Sequence, residues 1–210
     1  MARYLASDCK LCRKTDFKLF LKGSRCYSDK CALEKRKTLP GQHGSDKNRK
    51  KMSEYGLRLR EKQRLKFTYG LLEKQFSNYF DKAAKAKGIT GENLLLQLEK
   101  RLDNVVFRLG FAVSRAEARQ LVTHGHFLVN KRKTSFPSFL VKIGDVIEIK
   151  EKSKGNVKIK EGLKLLEKRG MIDWLELDKE QLRGVVKHFP ARDDMGIPIQ
   201  EKLVIEFYSR

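Results

Sequence analysis

All the thiols of this chain fall within 23 consecutive residues, CKLCRKTDFKLFLKGSRCYSDKC, as Cys9, Cys12, Cys26 and Cys31. The spacing C-x2-C-x13-C-x4-C sets two short-spaced pairs on either side of a loop. Such a set can bring four thiolates to the corners of a tetrahedron around one Zn²⁺. Lys10, Arg13, Lys14, Arg25 and Lys30 favour the thiolate form and offset part of the −2 charge of a four-thiolate zinc centre. Four protein ligands leave no open position, so the expected role is structural. A segment this short has almost no core, and metal binding would supply its folding free energy, on the order of 10 kcal/mol. Two disulfides or a redox CxxC are the rivals. The first lacks a secretory signal and the second lacks a thioredoxin-like βαβ pattern.

Other residues with possible chemistry form no constellation. Arg101-Leu102-Asp103 resembles the short element that carries the nucleophilic aspartate of pseudouridine synthases. Its continuation, NVVFRLG, lacks the Thr and Gly of those enzymes, so Asp103 is read as a helix residue paired with a nearby Arg or Lys. His124-Gly125-His126 lacks the companion motifs of a metal pair or a synthetase box. No P-loop, GxGxxG, HExxH or GxSxG occurs. The reading is therefore a binding protein, not an enzyme.

Composition says what it would bind. The chain has 47 Lys+Arg against 26 Asp+Glu, a net charge of +21. That excess calls for a polyanionic partner, nucleic acid before an anionic membrane. No run approaches the roughly 20 apolar residues of a spanning helix. The start, MARYLASDCKLCRK, has no secretory apolar core, and a cytoplasmic location is expected. Residues 1–70 carry 20 basic and 7 acidic side chains, 71–160 carry 18 and 9, and 161–210 carry 9 and 10. The anion-binding surface is thus expected from the first three-quarters, and packing from the tail.

Several elements must position these groups. FKLFLKG reads as a strand over the cysteine site. Residues 32–52 read as a loop or basic arm, with PGQHG as either a close-approach ligand turn or an ordinary solvated one. Ser53 caps a helix through LRLREKQRLKFTYG, whose cations Arg58, Arg60, Lys62, Arg64 and Lys66 accompany a single acid, Glu61, and are read as phosphate-facing. An amphipathic helix follows through Leu72, Phe76, Tyr79, Phe80 and Ala83, ended by Gly88. One further helix is expected from Thr90 to Gly110, with Leu94, Leu98, Leu102, Val105, Val106 and Leu109 inward. Ser114 and Glu117 form a capping box for SRAEARQLVTHG, which puts Arg115 and Arg119 on one face. HFLVN and VIEI read as strands, with Lys131-Arg132-Lys133 at a turn and another turn at Gly144-Asp145. Helical stretches around Leu163–Leu166, Trp174 and the final EKLVIEFYSR complete the chain.

The run RLDNVVFRLGFAVSRAEARQLVTHGHFLVNKRKTSFPSFLVKIGDVIEI resembles the small RNA-binding domain shared by ribosomal protein S-four, tyrosyl-tRNA synthetases and many pseudouridine synthases. With the four-cysteine segment, PGQHG, LREKQRLKFTYG and LVIEFYSR, the chain resembles the bacterial-type small-subunit ribosomal protein four family over essentially its full length. Zinc marks a subgroup of that family.

The resemblance implies binding to the 5′ domain of 16S rRNA, nucleation of subunit-body assembly and a part in translational accuracy. It implies a ribosomal location in the cytoplasm, ribosomal protein five as neighbour, proximity to mRNA at its entrance, and no homo-oligomer or membrane partner. By position, RNA contacts carry over to Arg3, Arg13, Lys22, Arg25, Arg36, Gln42, His43, Arg49 and Lys50. They carry over also to Arg58, Arg60, Lys62, Arg64 and Lys66, and to Arg115, Arg119, His124, Lys131, Arg132 and Lys133. The expected fold class is α+β. A zinc-stapled segment and arm (1–45) precede a mainly helical domain (46–92, completed by 176–210). Between its two parts lies a small α+β RNA-binding domain (93–175, core about 99–160). The alternative function is an RNA-modifying enzyme sharing that small domain.

Overall fold

The computed structural model describes residues 4, 6–44, 52–196 and 198–209. It divides into two compact units, Met1–Gly91 with Pro198–Arg210, and Glu92–Ile197. No described helix is long and apolar enough to cross a membrane.

The first unit is helical. It opens with α1 (Asp8–Thr15), a 3-10 turn (Gly23–Tyr27) and α2 (Ala32–Lys35). The strand expected in FKLFLKG is absent. Leu19 is fully buried, Phe20 takes φ 52°, and no described strand in this unit offers a ladder to pair with. A strand without a partner leaves its amides unsatisfied, so the chain turns instead.

Next comes α3 (Glu54–Thr68), capped as expected, with the Ser53 hydroxyl accepting from Gly56 N–H at 3.2 Å. Leu71 is buried before α4 (Glu73–Lys85), whose inner face is Phe76 and Ala83. The C-terminal α9 (Glu201–Tyr208) packs on α3. Tyr208 lies 4.6 Å from the Phe80 ring and 6.1 Å from Phe76, while Phe207 lies 5.7 Å from Tyr55. The tail thus frames this unit through aromatic packing.

The second unit follows α5 (Thr90–Glu99), whose first turn straddles the boundary between the units. The single helix expected over 90–110 is two. Arg101 is extended at ψ 136° and α6 runs Leu102–Arg108. The break arises because the Lys100 carbonyl and the Leu102 N–H bond to Val141 and Phe139 at 2.9 and 2.8 Å, and Arg101 bridges to Leu140. A tertiary pairing outcompetes the helical one. The capping box then starts α7 (Arg115–Thr123). Ser114 Oγ accepts from Glu117 N–H at 3.3 Å, and the Glu117 carboxylate accepts from Val113 N–H at 2.8 Å.

The sheet has the order β2-β1-β3-β5-β4, antiparallel throughout. Its strands are β1 (Phe127–Val129), β2 (Arg132–Lys133), β3 (Val146–Ile149), β4 (Leu175–Asp178) and β5 (Arg183–Val186), with α8 (Val157–Arg169) between β3 and β4. Phe127 and Val129 pair with Ile149 and Ile147, and all four face the core with Trp174, Ile159, Phe111 and Val106. β4 and β5 therefore belong with this sheet, whereas the expected division sent 176–210 to the helical domain. The sequence signal was weak because β4 and β5 are four residues each: LELD alternates over too short a run to mark a strand, and RGVV does not alternate.

Candidate nucleic-acid interface

In the first unit α1 sets Cys9 and Cys12 one helical turn apart, and the 3-10 turn and the start of α2 carry Cys26 and Cys31. Cys26 and Cys31 are buried, and none of the four is in a disulfide. The Lys22 N–H points at Cys26 Sγ, 3.4 Å away. Burial pushes the Cys12 thiol up to about 11, against a Leu19 N–H that pulls it down and the nearby charges of the other three sulfurs that add to the rise. The Cys26 thiol is raised for the same first reason. The four sulfurs thus sit within electrostatic reach of one another, two of them taking backbone N–H bonds suited to thiolates. Among the described residues, however, no three His, Cys, Asp or Glu side chains are gathered closely enough to hold a metal as they stand.

Beside the thiols is a cleft of about 440 Å³. Ser7, Cys9, Lys10 and Arg13 of the α1 region form one bank, and Lys22, Arg25, Lys30, Ala32, Lys35 and Arg36 form the other. Seven of these ten are cations and none is an acid. Arg13 is partly spent internally, donating from Nε to Thr38 O at 2.9 Å and from Nη2 to Leu39 O at 3.2 Å. Arg25 donates to Lys30 O at 3.3 Å. Lys10 and Lys30 were read from sequence only as neighbours favouring thiolates, and Lys35 was not singled out; their proximity to the cysteines was the available signal for the cleft.

Downstream, PGQHG closes as a tight turn. Gly44 N–H donates to Gly41 O at 3.3 Å, and a Cβ at Gly44 would lie 1.9 Å from Leu39 O. Gln42 and His43 stand exposed on it. Arg3, Arg49 and Lys50 lie outside the described residues.

Most of the α3 cations are engaged in ion pairs within the first unit. Lys62 is 4 % exposed, with Nζ 2.6 Å from Glu73 and 4.5 Å from the centre of the Phe207 ring. Lys66 also meets Glu73, at 2.7 Å, and Arg58 meets Glu206 at 2.8 Å. Arg64 pairs with Glu61 and donates to Thr15 O at 3.0 Å. Arg58, Lys62, Arg64 and Lys66, read as part of one phosphate-facing stripe, thus also hold acids of their own unit. Glu73 and Glu206 come from α4 and α9, so counting acids within α3 alone missed the partners. Arg60 differs: it is half-buried, and its Nε is buried without a hydrogen-bond partner among the described residues.

In the second unit Arg115 and Arg119 are also held inward. Arg115 Nε donates to the Asn104 amide oxygen at 2.8 Å and its guanidinium lies 4.5 Å from the Phe107 ring. Arg119 meets Asp103 at 2.8 Å, as does the buried Arg101. Asp103, 3 % exposed between two arginines, is a structural anchor, not an open nucleophile. The hairpin instead points outward. Asn130 and Lys131 take φ 49° and 64°, a two-residue turn of the primed kind, and Lys131, Arg132 and Lys133 are exposed. Lys133 crosses the end of α7, its Cε 2.8 Å from where a Gly125 Cβ would be, and Lys150 Nζ lies 3.9 Å from the same point. His124 is exposed nearby. His126 is held below its usual pKa by burial first, then by His124 and Lys150.

The sequence matches a known lineage. Residues 3–99 match the family model described as Ribosomal protein S4/S9 N-terminal domain, and residues 100–147 match the S4 domain. The Small ribosomal subunit protein uS4 of Syntrophus aciditrophicus is 60 % identical over 210 residues, covering all of both chains. The chain belongs to the uS4 family. Proteins of the same name from Trichlorobacter lovleyi and Thermodesulfovibrio yellowstonii are 57 % and 56 % identical, again over the whole of each chain. The uS4 family is structural and not enzymatic, so the RNA-modifying alternative is not favoured.

Proposed function

We propose that the chain is a structural rRNA-binding protein of the small ribosomal subunit in the cytoplasm. It docks on the 5′ domain of 16S rRNA, helps nucleate the subunit body and contributes to accuracy. Ribosomal protein five is its protein neighbour, and mRNA passes nearby. The observation that carries this is the cleft beside the cysteines, with seven cations and no acid in its walls. A cavity of that composition fits phosphates and little else. Folded RNA is recognised mainly by shape, with Lys and Arg on phosphates. In a sucrose-gradient profile of growing cells the chain should cosediment with small subunits; sedimentation at the top would reject the reading.

Cys9, Cys12, Cys26 and Cys31 hold one structural zinc in this reading. The donor chemistry supports it: four sulfurs, with N–H groups of Leu19 and Lys22 directed at Cys12 and Cys26. The metal would supply a cross-link between α1 and the 22–36 segment, and the sulfurs would close around it. Elemental analysis of purified protein should give one zinc per chain. Its removal by a chelator should unfold the segment before Pro40 and leave α3 and the sheet folded, as read by amide exchange. A metal-free chain with an unchanged first segment would reject the zinc.

A further inference from the structure

The loop between β2 and β3 presents apolar surface in a basic setting. Phe136 is 71 % exposed, Phe139 37 % and Leu140 38 %. The loop is not loose. Phe139 N–H donates to Phe136 O at 3.0 Å, while the carbonyls of Pro137 and Phe139 accept from Asp103 and Leu102 at 3.2 and 2.8 Å. The start of α6 therefore fixes the backbone that carries both rings. Beside Phe139 is a hollow of about 390 Å³, lined also by Val129, Asn130, Arg132 and Thr134. The Asn130 amide is already spent on Asp145 and on Val146 N–H, at 2.8 and 2.9 Å, so it serves as a rigid wall.

Charge decides what covers this surface. Residues 130–142, NKRKTSFPSFLVK, hold four cations and no acid. An apolar protein partner would have to desolvate those cations without compensation. An RNA strand supplies both needs at once, a π face for the ring and an anionic phosphate for the neighbouring guanidinium. Bases inside an A-form helix have both faces covered, so the base must be unpaired or splayed out. We infer that the Phe139 hollow holds an unpaired nucleobase of the bound rRNA, stacked on the ring, with Arg132 on an adjacent phosphate and Phe136 extending the apolar floor. This rests on the rRNA-binding reading above and adds base-level recognition to it.

The test uses the full chain and a transcript of the 16S rRNA 5′ domain, with affinity measured across a salt series. Phe139→Leu keeps the buried volume but removes the π face, and Phe136→Ala alters a ring that is mostly in water. The double variant should melt like the parent and bind about tenfold more weakly, with an unchanged slope of log K against log salt. Arg132→Gln should instead lower the slope by about one. A folded double variant that binds as tightly as the parent overturns the inference, as does one whose loss comes with a shallower slope. Normal RNA affinity with failed incorporation into subunits would mean that a protein covers the loop, and also overturns it. If the parent chain does not prefer the transcript over unrelated RNA, the broader rRNA-binding reading falls, and this inference with it.

Discussion

Asp103 shows how a residue's environment assigns its role. Its carboxylate takes Arg101 at 2.8 Å and Arg119 at 2.8 Å, and its Oδ1 caps the N–H of Asn104 at 2.9 Å. Removing one partner of a buried ion pair is costly because the remaining charge stays out of water. Asp103→Ala should therefore destabilise the second unit by about 3–5 kcal/mol in denaturant titration. Charge reversal at Arg115 and Arg119 would likewise test folding before it tested RNA binding. Glu73 is the counterpart in the first unit. Burial raises its carboxyl, but bonds from Lys62, Lys66 and Tyr208 outweigh that and hold it at about 2. A folded pKa below the unfolded one contributes stability at neutral pH that is lost as pH falls from about 4.5 towards 2. With Glu73 49 % exposed, screening limits this to about 1 kcal/mol. Glu73→Gln should thus melt lower than the parent at pH 7, with the gap closing below pH 3.

At the scale of elements, short strands and helices are fixed by close approaches. The α8 helix lies against the turn after α6, and a Cβ at Gly162 would sit 2.5 Å from Gly110 O and 2.8 Å from Ala112 N. Backbone atoms cannot yield as a side-chain end can. Gly162→Ala should cost about 1–3 kcal/mol and lower the melting temperature by several degrees. Gly155→Ala, with nothing within 4 Å of the added carbon, should be nearly neutral. Elements set by local rules were legible: the Ser53 and Ser114 caps, the hairpin at Lys131 and the Gly144 turn with φ 84°. The break at Arg101 and the turn at Phe20 were not, because each answers to residues far away in the chain or to the lack of a strand partner.

For the whole molecule, charge governs binding. If about 8 phosphates are neutralised, affinity for the rRNA transcript should fall roughly a thousandfold or more between 50 and 200 mM salt. Lys131→Gln and Lys133→Gln should each reduce the salt slope by about one, and Lys179→Gln should leave it unchanged. A filter-binding series measures all three. The site was legible as a set of residue types but not as a set of free charges. Arg13, Lys62, Arg64 and Arg119 are as basic in the sequence as Lys22, Arg36 and Lys133, yet the first four are held by carbonyls or carboxylates of other elements.

Composition and spacing alone determined the need for a polyanion partner and the four-thiol set, because net charge and residue types do not depend on where the chain goes. Only the tertiary structure decided which cations face outward, which acid meets which base, and that β4 and β5 complete a sheet. Ion pairing and strand pairing are contacts between distant parts of the chain, and their free energies appear only once folding has brought those parts together.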